Sequence, residues 1–535
     1  MPEIAPNFDD EKQENITYEC RTFEQYLIDY SIPTTLAEIG QTTITGSGTL
    51  ASPYQINSTQ DFVFLANLGV NGKYLELNCD ITYNEEVFDE NGNPTGGDGV
   101  YYMWKRMVYA SKMCFEGNFH YLQGFFYEDG ESDYMFSIFG DWSVEEIKNV
   151  KMKNIFFNLK YRVAGLCSNV NKLKNIVFES GYLYSGNSAG GIAYNLNKTA
   201  TDCENYANVS TIEYAGSGGI CFNKYRGKIT NCRNYGTISG ISNSGGICSI
   251  SYEEIIFNCE NYGKVIVQHY HGGGIVGRCD AQTTIENCNN YGEIISLANS
   301  VSGGMCGMTN YSLTILNCNN YGTSPNQMLG YITITPKETM VITIKGCGAY
   351  AKEARGIIGN IHKETTYRPL LVVNIEDCYF KCETERVYDT YIFIRPELNI
   401  AEINLKNNVV DIECNNYNFW LINPKQDSFP LTMNVENLIV NAKIKGSILE
   451  SKKQQLIVAK GTYHLNTKVN IKNAIFNFDE NGQRTGVYFG SNFDGYCINW
   501  KTGKMTLGRA SGKDFFQQKV TEEMLIQKGY KKGVA

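Results

Sequence analysis

The chain has 535 residues and a net charge of −9, with 18 cysteines, 37 tyrosines, 26 phenylalanines and only 11 prolines. An acidic balance without a basic stripe excludes a nucleic-acid surface, which must neutralise phosphates. The aromatic content excludes disorder, and the lack of any apolar run of about 18 residues excludes a membrane-spanning helix.

Residues 1–45 read as a polar N-terminal arm or cap with one helical stretch, Thr22–Tyr30, ahead of Ile32-Pro33. The first residues are acidic and carry no export signal, and the chain begins with Met. A protein made in a cytoplasm is therefore expected. Residues 46–146 form a lead-in segment that alternates toward a strand at Lys73–Cys79. Its loop, Phe88–Gly99, contains Asn91-Gly92, a hairpin signal. The carboxylates of that loop invite a calcium reading, but its glycines fall at the wrong place for an EF-type loop, so a turn is expected.

Residues 147–465 carry a repeat. It begins in degenerate form at Ile147–Val150 and Leu173–Phe178 and becomes explicit from Thr199 to Gly330. There Asp-Cys203-Glu-Asn205-Tyr206-Ala returns as Asn-Cys232-Arg-Asn234-Tyr235-Gly and as Asn-Cys259-Glu-Asn261-Tyr262-Gly. Asn-Cys288-Asn-Asn290-Tyr291-Gly and Asn-Cys318-Asn-Asn320-Tyr321-Gly follow. A second phrase keeps the same period: Gly190-Gly-Ile192, Gly218-Gly-Ile220, Gly245-Gly-Ile247, Gly273-Gly-Ile275 and Gly303-Gly-Met305. Short β-type runs such as Thr284–Asn287 and Gly292–Ile295 lie between them, with no helical period. A period of about 28 residues with three short strands per unit predicts an all-β fold, a right-handed parallel β-helix. Neighbouring turns then pair at roughly 4.8 Å, and equivalent residues stack in ladders. Asn205, Asn234, Asn261, Asn290 and Asn320 should bond to one another along one ladder. The glycine after each tyrosine is expected to supply a positive φ at a tight corner.

The cysteines read as structural thiols. The residue after each Gly-Gly-Ile/Met, or after its upstream equivalent Gly165-Leu166, is Cys167, Ala193, Cys221, Cys248, Val276 or Cys306, as a small apolar core slot requires. Cys203, Cys232, Cys259, Cys288 and Cys318 form a second such ladder, continued by Cys347 and Cys378. Later phrases loosen, and at Ile403–Lys406 a lysine stands in the cysteine slot, leaving the register open. Residues 466–535 change character. The turn phrase of residues 88–96 recurs at Phe478–Gly486, Cys497–Leu507 reads as a hairpin, and Thr521–Lys528 reads as a short capped helix. A C-terminal β-rich module ending in a helix is expected.

Gly273-Gly-Ile-Val-Gly277 and Gly303-Gly-Met-Cys-Gly307, spaced from the Asn-Cys-x-Asn-x-Gly phrases, resemble the GLUG-type repeats of bacterial surface proteins. Gly46–Ile56 with Asp61–Asn67 resembles the segment that precedes such repeats, and Phe115–Phe119 the lead-in to the first coil. The resemblance implies the β-helical scaffold. The scaffold does several jobs in that family and names none of them.

Candidate sites are few. Tyr206, Tyr235, Tyr262, Tyr291 and Tyr321 could form a strip that stacks sugars, or they stack on one another as part of the scaffold. His269, His271 and Cys279 could hold a metal, but a loop between strands accounts for them as well, so no metal or cofactor is expected. Glu376, Asp377, Glu383 and Glu385, beside Arg386, are the densest acidic cluster and read as a solvated loop. The other carboxylates (Glu204, Glu213, Glu260, Glu286, Glu293) do not gather as a glycosidase pair would. No catalytic residue is assigned. The build of a β-rod with a module at each end resembles phage fibres and spikes. The expectation is a non-enzymatic virion component, homotrimeric, meeting other virion proteins and a host-surface glycan or receptor, without nucleic acid or membrane insertion. The alternatives are a bacterial cell-surface adhesin and a β-helical glycan depolymerase.

Overall fold

The computed structural model describes residues 19–88, 100–105, 111–129, 135–140, 143–297, 301–334, 339–352, 356–363, 371–384, 390–396, 400–414, 419–422, 431–444, 454–455, 467–480, 487–488, 494–498 and 505–509. It is an all-β structure of stacked parallel strands, a β-solenoid. Internal contacts divide the chain into two units, one holding residues up to Tyr270 with Ile275–Gly277, the other His271–Gly274 and everything from Arg278.

In the first unit one sheet stacks Tyr54–Ile56, Tyr74–Leu77, Cys114–Glu116, Ser143–Lys153, Cys167–Phe178, Ala193–Thr201, Cys221–Thr230 and Cys248–Phe257, each parallel to the next. Parallel stacking therefore reaches back to Tyr54, inside the stretch read as a lead-in. A second face stacks Phe126–Asp129, Ile155–Leu159, Gly181–Ser185, Asn208–Thr211, Ile238–Gly240 and Val265–Val267. A third stacks Met135–Phe136, Arg162–Ala164, Ser188–Gly190, Ser217–Gly218 and Ser244–Gly245. Inward positions carry aliphatic columns; Ile147, Leu173, Ala200, Ile229 and Ile256 stand in register and are all buried. Each isoleucine side chain buried this way contributes about 1.5–3 kcal/mol.

The first coil is met by two helices. Phe23–Asp29 matches the expected helical stretch: Thr22 caps it, its hydroxyl accepting from the Gln25 N–H, and Phe23, Tyr26 and Leu27 are buried. Thr59–Leu68 is a helix that the sequence reading missed. The Ser58 hydroxyl accepts from the Asp61 N–H at 3.1 Å, and Gly69, at φ 86°, ends it. Asp61 to Ala66 are all buried, with Phe62 packed against Trp104, Phe125 and Phe139. The buried Asp61 carboxylate accepts from the N–H groups of Thr43 and Asn57, at 3.0 Å each, and from the Thr43 hydroxyl. The helix packs on Tyr54–Ile56 and Ile81–Thr82, the place where an uncovered first rung would invite strand pairing.

In the second unit one ladder runs Thr283–Glu286, Leu313–Leu316, Met340–Lys345, Leu371–Glu376, Ile400–Lys406, Leu431–Ile444 and Thr467–Glu480. Parallel pairing thus continues to Glu480, beyond residue 465. Asp494–Ile498 pairs antiparallel with Met505–Arg509, flanking the expected hairpin turn. The loops at 89–99 and 481–486, Glu385, Arg386 and the helix at 521–528 lie outside the described residues.

Two sequence expectations are corrected. The positive φ belongs to the residue before each cysteine, not to the glycine after each tyrosine. Asp202, Asn231, Asn258, Asn287, Asn317 and Asp377 have φ between 51° and 55°. Asn and Asp tolerate this left-handed region because their short polar side chains bond locally. The glycine is needed for a different reason: a Cβ on Gly236 would lie 1.9 Å from the Ala207 carbonyl oxygen of the preceding coil. Nor does Lys406 occupy the cysteine slot. Glu376 pairs with Lys406, so Asn407 takes the left-handed turn (φ 54°) and Asn408 the slot. The buried Asn408 amide donates to the Ile375 carbonyl at 2.7 Å, and its oxygen accepts from the Cys378 N–H.

Candidate functional site

The repeat phrase builds three adjacent columns. The cysteine of each phrase points inward, and Cys203, Cys232, Cys259, Cys288 and Cys318 are fully buried. The left-handed turn just before it folds each thiol back on the carbonyl two residues upstream. Cys232 donates to Thr230 at 3.3 Å, Cys288 to Glu286 at 3.2 Å and Cys318 to Leu316 at 3.1 Å. Among the described residues sixteen cysteines are free thiols, thirteen of them buried.

Two residues on, the asparagines are also fully buried. In the first unit Asn205 donates to Asn234 and Asn234 to Asn261, each at 2.8 Å; in the second, Asn290 donates to Asn320 at 2.8 Å. The second N–H of Asn234 donates to the Gly236 carbonyl, and the equivalent bond at Asn205 goes to Ala207. Asn205, Asn234 and Asn290 therefore each close their own turn while joining the next coil.

The tyrosines follow on the outside, about 40% exposed. Tyr206 and Tyr235 stack at 4.4 Å with planes 5° apart, and Tyr235 and Tyr262 at 4.9 Å and 3°. In the second unit Tyr291, Tyr321 and Tyr350 stack at 5.1 and 5.3 Å, and Tyr379 tilts against Tyr350. A sugar packs on an aromatic face, and here both faces of Tyr235 are covered by its neighbours. The strip offers ring edges and hydroxyls instead. The sequence reading missed Tyr350, although it stands three residues after Cys347, as Tyr206 stands after Cys203.

An ion-pair row runs beside the strip. Arg233 donates to Glu204 at 3.1 Å and to Glu260 at 2.9 Å, while the hydroxyls of Tyr206 and Tyr262 donate to Glu204 and Glu260. Burial and the Glu204 carboxylate push the Tyr206 phenol up to about 12, so it remains a donor at neutral pH. One guanidinium thus bridges two carboxylates from neighbouring coils.

The remaining candidates are engaged elsewhere. Glu376 and Asp377 pair with Lys345 at 3.1 and 3.9 Å, and Glu383 pairs with Lys381 at 3.1 Å. His271 is half-buried, its Nδ1 bonded to the Val301 carbonyl oxygen and its ring stacked on Tyr331. Burial and the nearby Arg278 charge pull its pKa down to about 4. The Cys279 thiol meets Cys306, sulfur to sulfur, at 3.6 Å. Among the described residues no group of three His, Cys, Asp or Glu could hold a metal ion.

No protein-family model and no curated protein matches the sequence. Among solved structures, one described as a "putative immunoglobulin A1 protease" from Bacteroides ovatus is similar over 51% of this chain and 77% of its own. The identity is 19% and the TM-score 0.32, too slight a likeness to carry an argument about activity.

Proposed function

We propose that this chain is a non-enzymatic structural and receptor- or glycan-binding protein, an appendage of a phage virion, homotrimeric like a fibre or spike. The observation that supports this most is how the repeat uses its functional groups. Amides and phenols, groups a catalytic or metal site would draw on, are bonded or stacked on their own copies one coil away, and the thiols are turned back on backbone carbonyls of their own coil. A chain that uses them in this way gains a stiff, repetitive outer surface. Free, buried thiols suit folding in a reducing compartment, where virion parts are made.

The Asn-Cys-x-Asn-x-Gly and Gly-Gly-Ile phrases favour a second reading, an adhesin of a bacterial surface with GLUG-type repeats. Gradient-purified particles and washed cell-envelope fractions, each probed by mass spectrometry for peptides of this chain, separate the two. Peptides in intact particles support the appendage. Peptides confined to the envelope overturn it in favour of the adhesin. Release of reducing ends from an acidic or neutral polysaccharide by the purified chain would overturn the non-enzymatic reading itself.

A further inference from the structure

Arg162 stands apart from the other arginines described in detail. Arg21, Arg233 and Arg278 each donate to a carboxylate within 3.1 Å. Arg162 has no carboxylate and no hydrogen-bond acceptor among the described residues, and its Nε is buried without a partner. Its guanidinium lies 4.6 Å from the ring centre of Tyr161 and 5.6 Å from that of Tyr194. Two aromatic faces hold the cation without neutralising it.

The fold fixes this group from three coils. Arg162 sits in register with Ser188, whose hydroxyl meets the Tyr194 hydroxyl at 2.8 Å. Tyr194 is buried against Phe222. Tyr225, exposed and stacked on Tyr252 at 5.0 Å, takes a long bond from the Asn223 amide at 3.4 Å. Burial pushes the phenols of Tyr194 and Tyr225 up, and the Arg162 charge pulls both part of the way back, so the charge acts on both hydroxyls. Asn195, next to Tyr194 in the chain, belongs to a column of amides: it donates to Asn169 at 2.6 Å, and Asn223 donates to it at 2.9 Å.

We propose that Arg162, framed by Tyr161 and Tyr194, recognises the carboxylate of an acidic sugar. A guanidinium fork matches a planar carboxylate in two parallel hydrogen bonds. One positive charge on a chain of net charge −9 suits a monoanion better than a doubly charged phosphate. The phenols of the rings beside the cation are of the donor and acceptor kind that sugar hydroxyls need. The site deepens the glycan-binding part of the proposed function and depends on that reading for its ligand class.

The test is ligand-observed NMR on the full chain with D-glucuronate, D-galacturonate and N-acetylneuraminate. D-glucose, acetate and inorganic phosphate run as controls. At least one acidic sugar is expected to bind, with glucose, acetate and phosphate each at least about tenfold weaker. Arg162→Gln should abolish that binding and Arg162→Lys should weaken it about tenfold, because an ammonium lacks the fork. Circular dichroism melting shows whether each variant keeps its fold. Should Arg162→Gln not fold, the lysine variant carries the test. No binding by any of the three sugars, equal binding of acetate or phosphate, or binding unchanged in a folded Arg162 variant overturns the site. Presence of the chain in particles together with a negative sugar result would overturn this site and leave the appendage reading standing.

Discussion

Replacing Asn234 by alanine removes the middle of the buried amide ladder in the first unit. Three hydrogen bonds disappear: from Asn205 to Asn234, from Asn234 to Asn261, and from Asn234 to the Gly236 carbonyl. The Asn205 amide keeps its bond to Ala207, so its loss is partial. The Asn261 side-chain oxygen and the Gly236 carbonyl each lose a donor inside the coil. An orphaned buried acceptor costs about 1–3 kcal/mol, so two predict a destabilisation of about 2–6 kcal/mol. Solenoid coils are stabilised by their nearest neighbours, so the loss should fall first on the coils around residues 205–261. Urea unfolding followed by circular dichroism measures the midpoint, and hydrogen exchange locates the opened coils. A shift below about 0.5 kcal/mol, or exchange spread evenly along the chain, would refute the ladder as a source of stability.

Other expected outcomes follow from the same geometry. Gly236→Ala should abolish soluble folding or cost several kcal/mol, because its Cβ meets backbone 1.9 Å away. Gly72→Ala, at φ 65° with open space around it, should cost only about 1–2 kcal/mol; equal effects on expression and melting would contradict this contrast. His271 has a folded pKa of about 4, below its ordinary 6.5. Its contribution to stability is therefore complete above about pH 6.5 and lost as pH falls toward 4, by about 3 kcal/mol. Melting curves across that window should show the loss, and His271→Gln should flatten it; a parallel pH profile in the variant would count against the assignment. In native protein, Ellman's reagent should reach few of the 18 thiols, and all of them after denaturation. Fast native labelling of most of them would show that the core slots are open.

Much of this was legible because a repeat tests itself: a residue type that returns at a fixed step must do the same job in each coil. Cys203 to Cys318 and Asn205 to Asn320 announced inward and ladder positions in that way. What the phrase could not tell was why a given residue is required. Glycine serves both positive φ and close backbone approach, and the sequence does not distinguish them; the coordinates assign the φ to Asn231 and its equivalents and the close approach to Gly236. The helix Thr59–Leu68 was missed because it is buried all round, so its apolar run shows no face. The slot of Asn408 was misread by two residues because Lys406 preserved the spacing of the phrase while the turn residue moved with the pairing register. Arg162 could not be seen at all. Its surroundings come in part from Tyr194, one coil further along, at a position where the repeat keeps no fixed residue.

The most direct test of the account as a whole is the native mass of the full chain by light scattering, with and without reductant. The account predicts a mass three times that of the 60.1 kDa chain, unchanged by reductant, because the thiols are core residues and not cross-links. A monomer, or an assembly that falls apart when reductant is added, would contradict it.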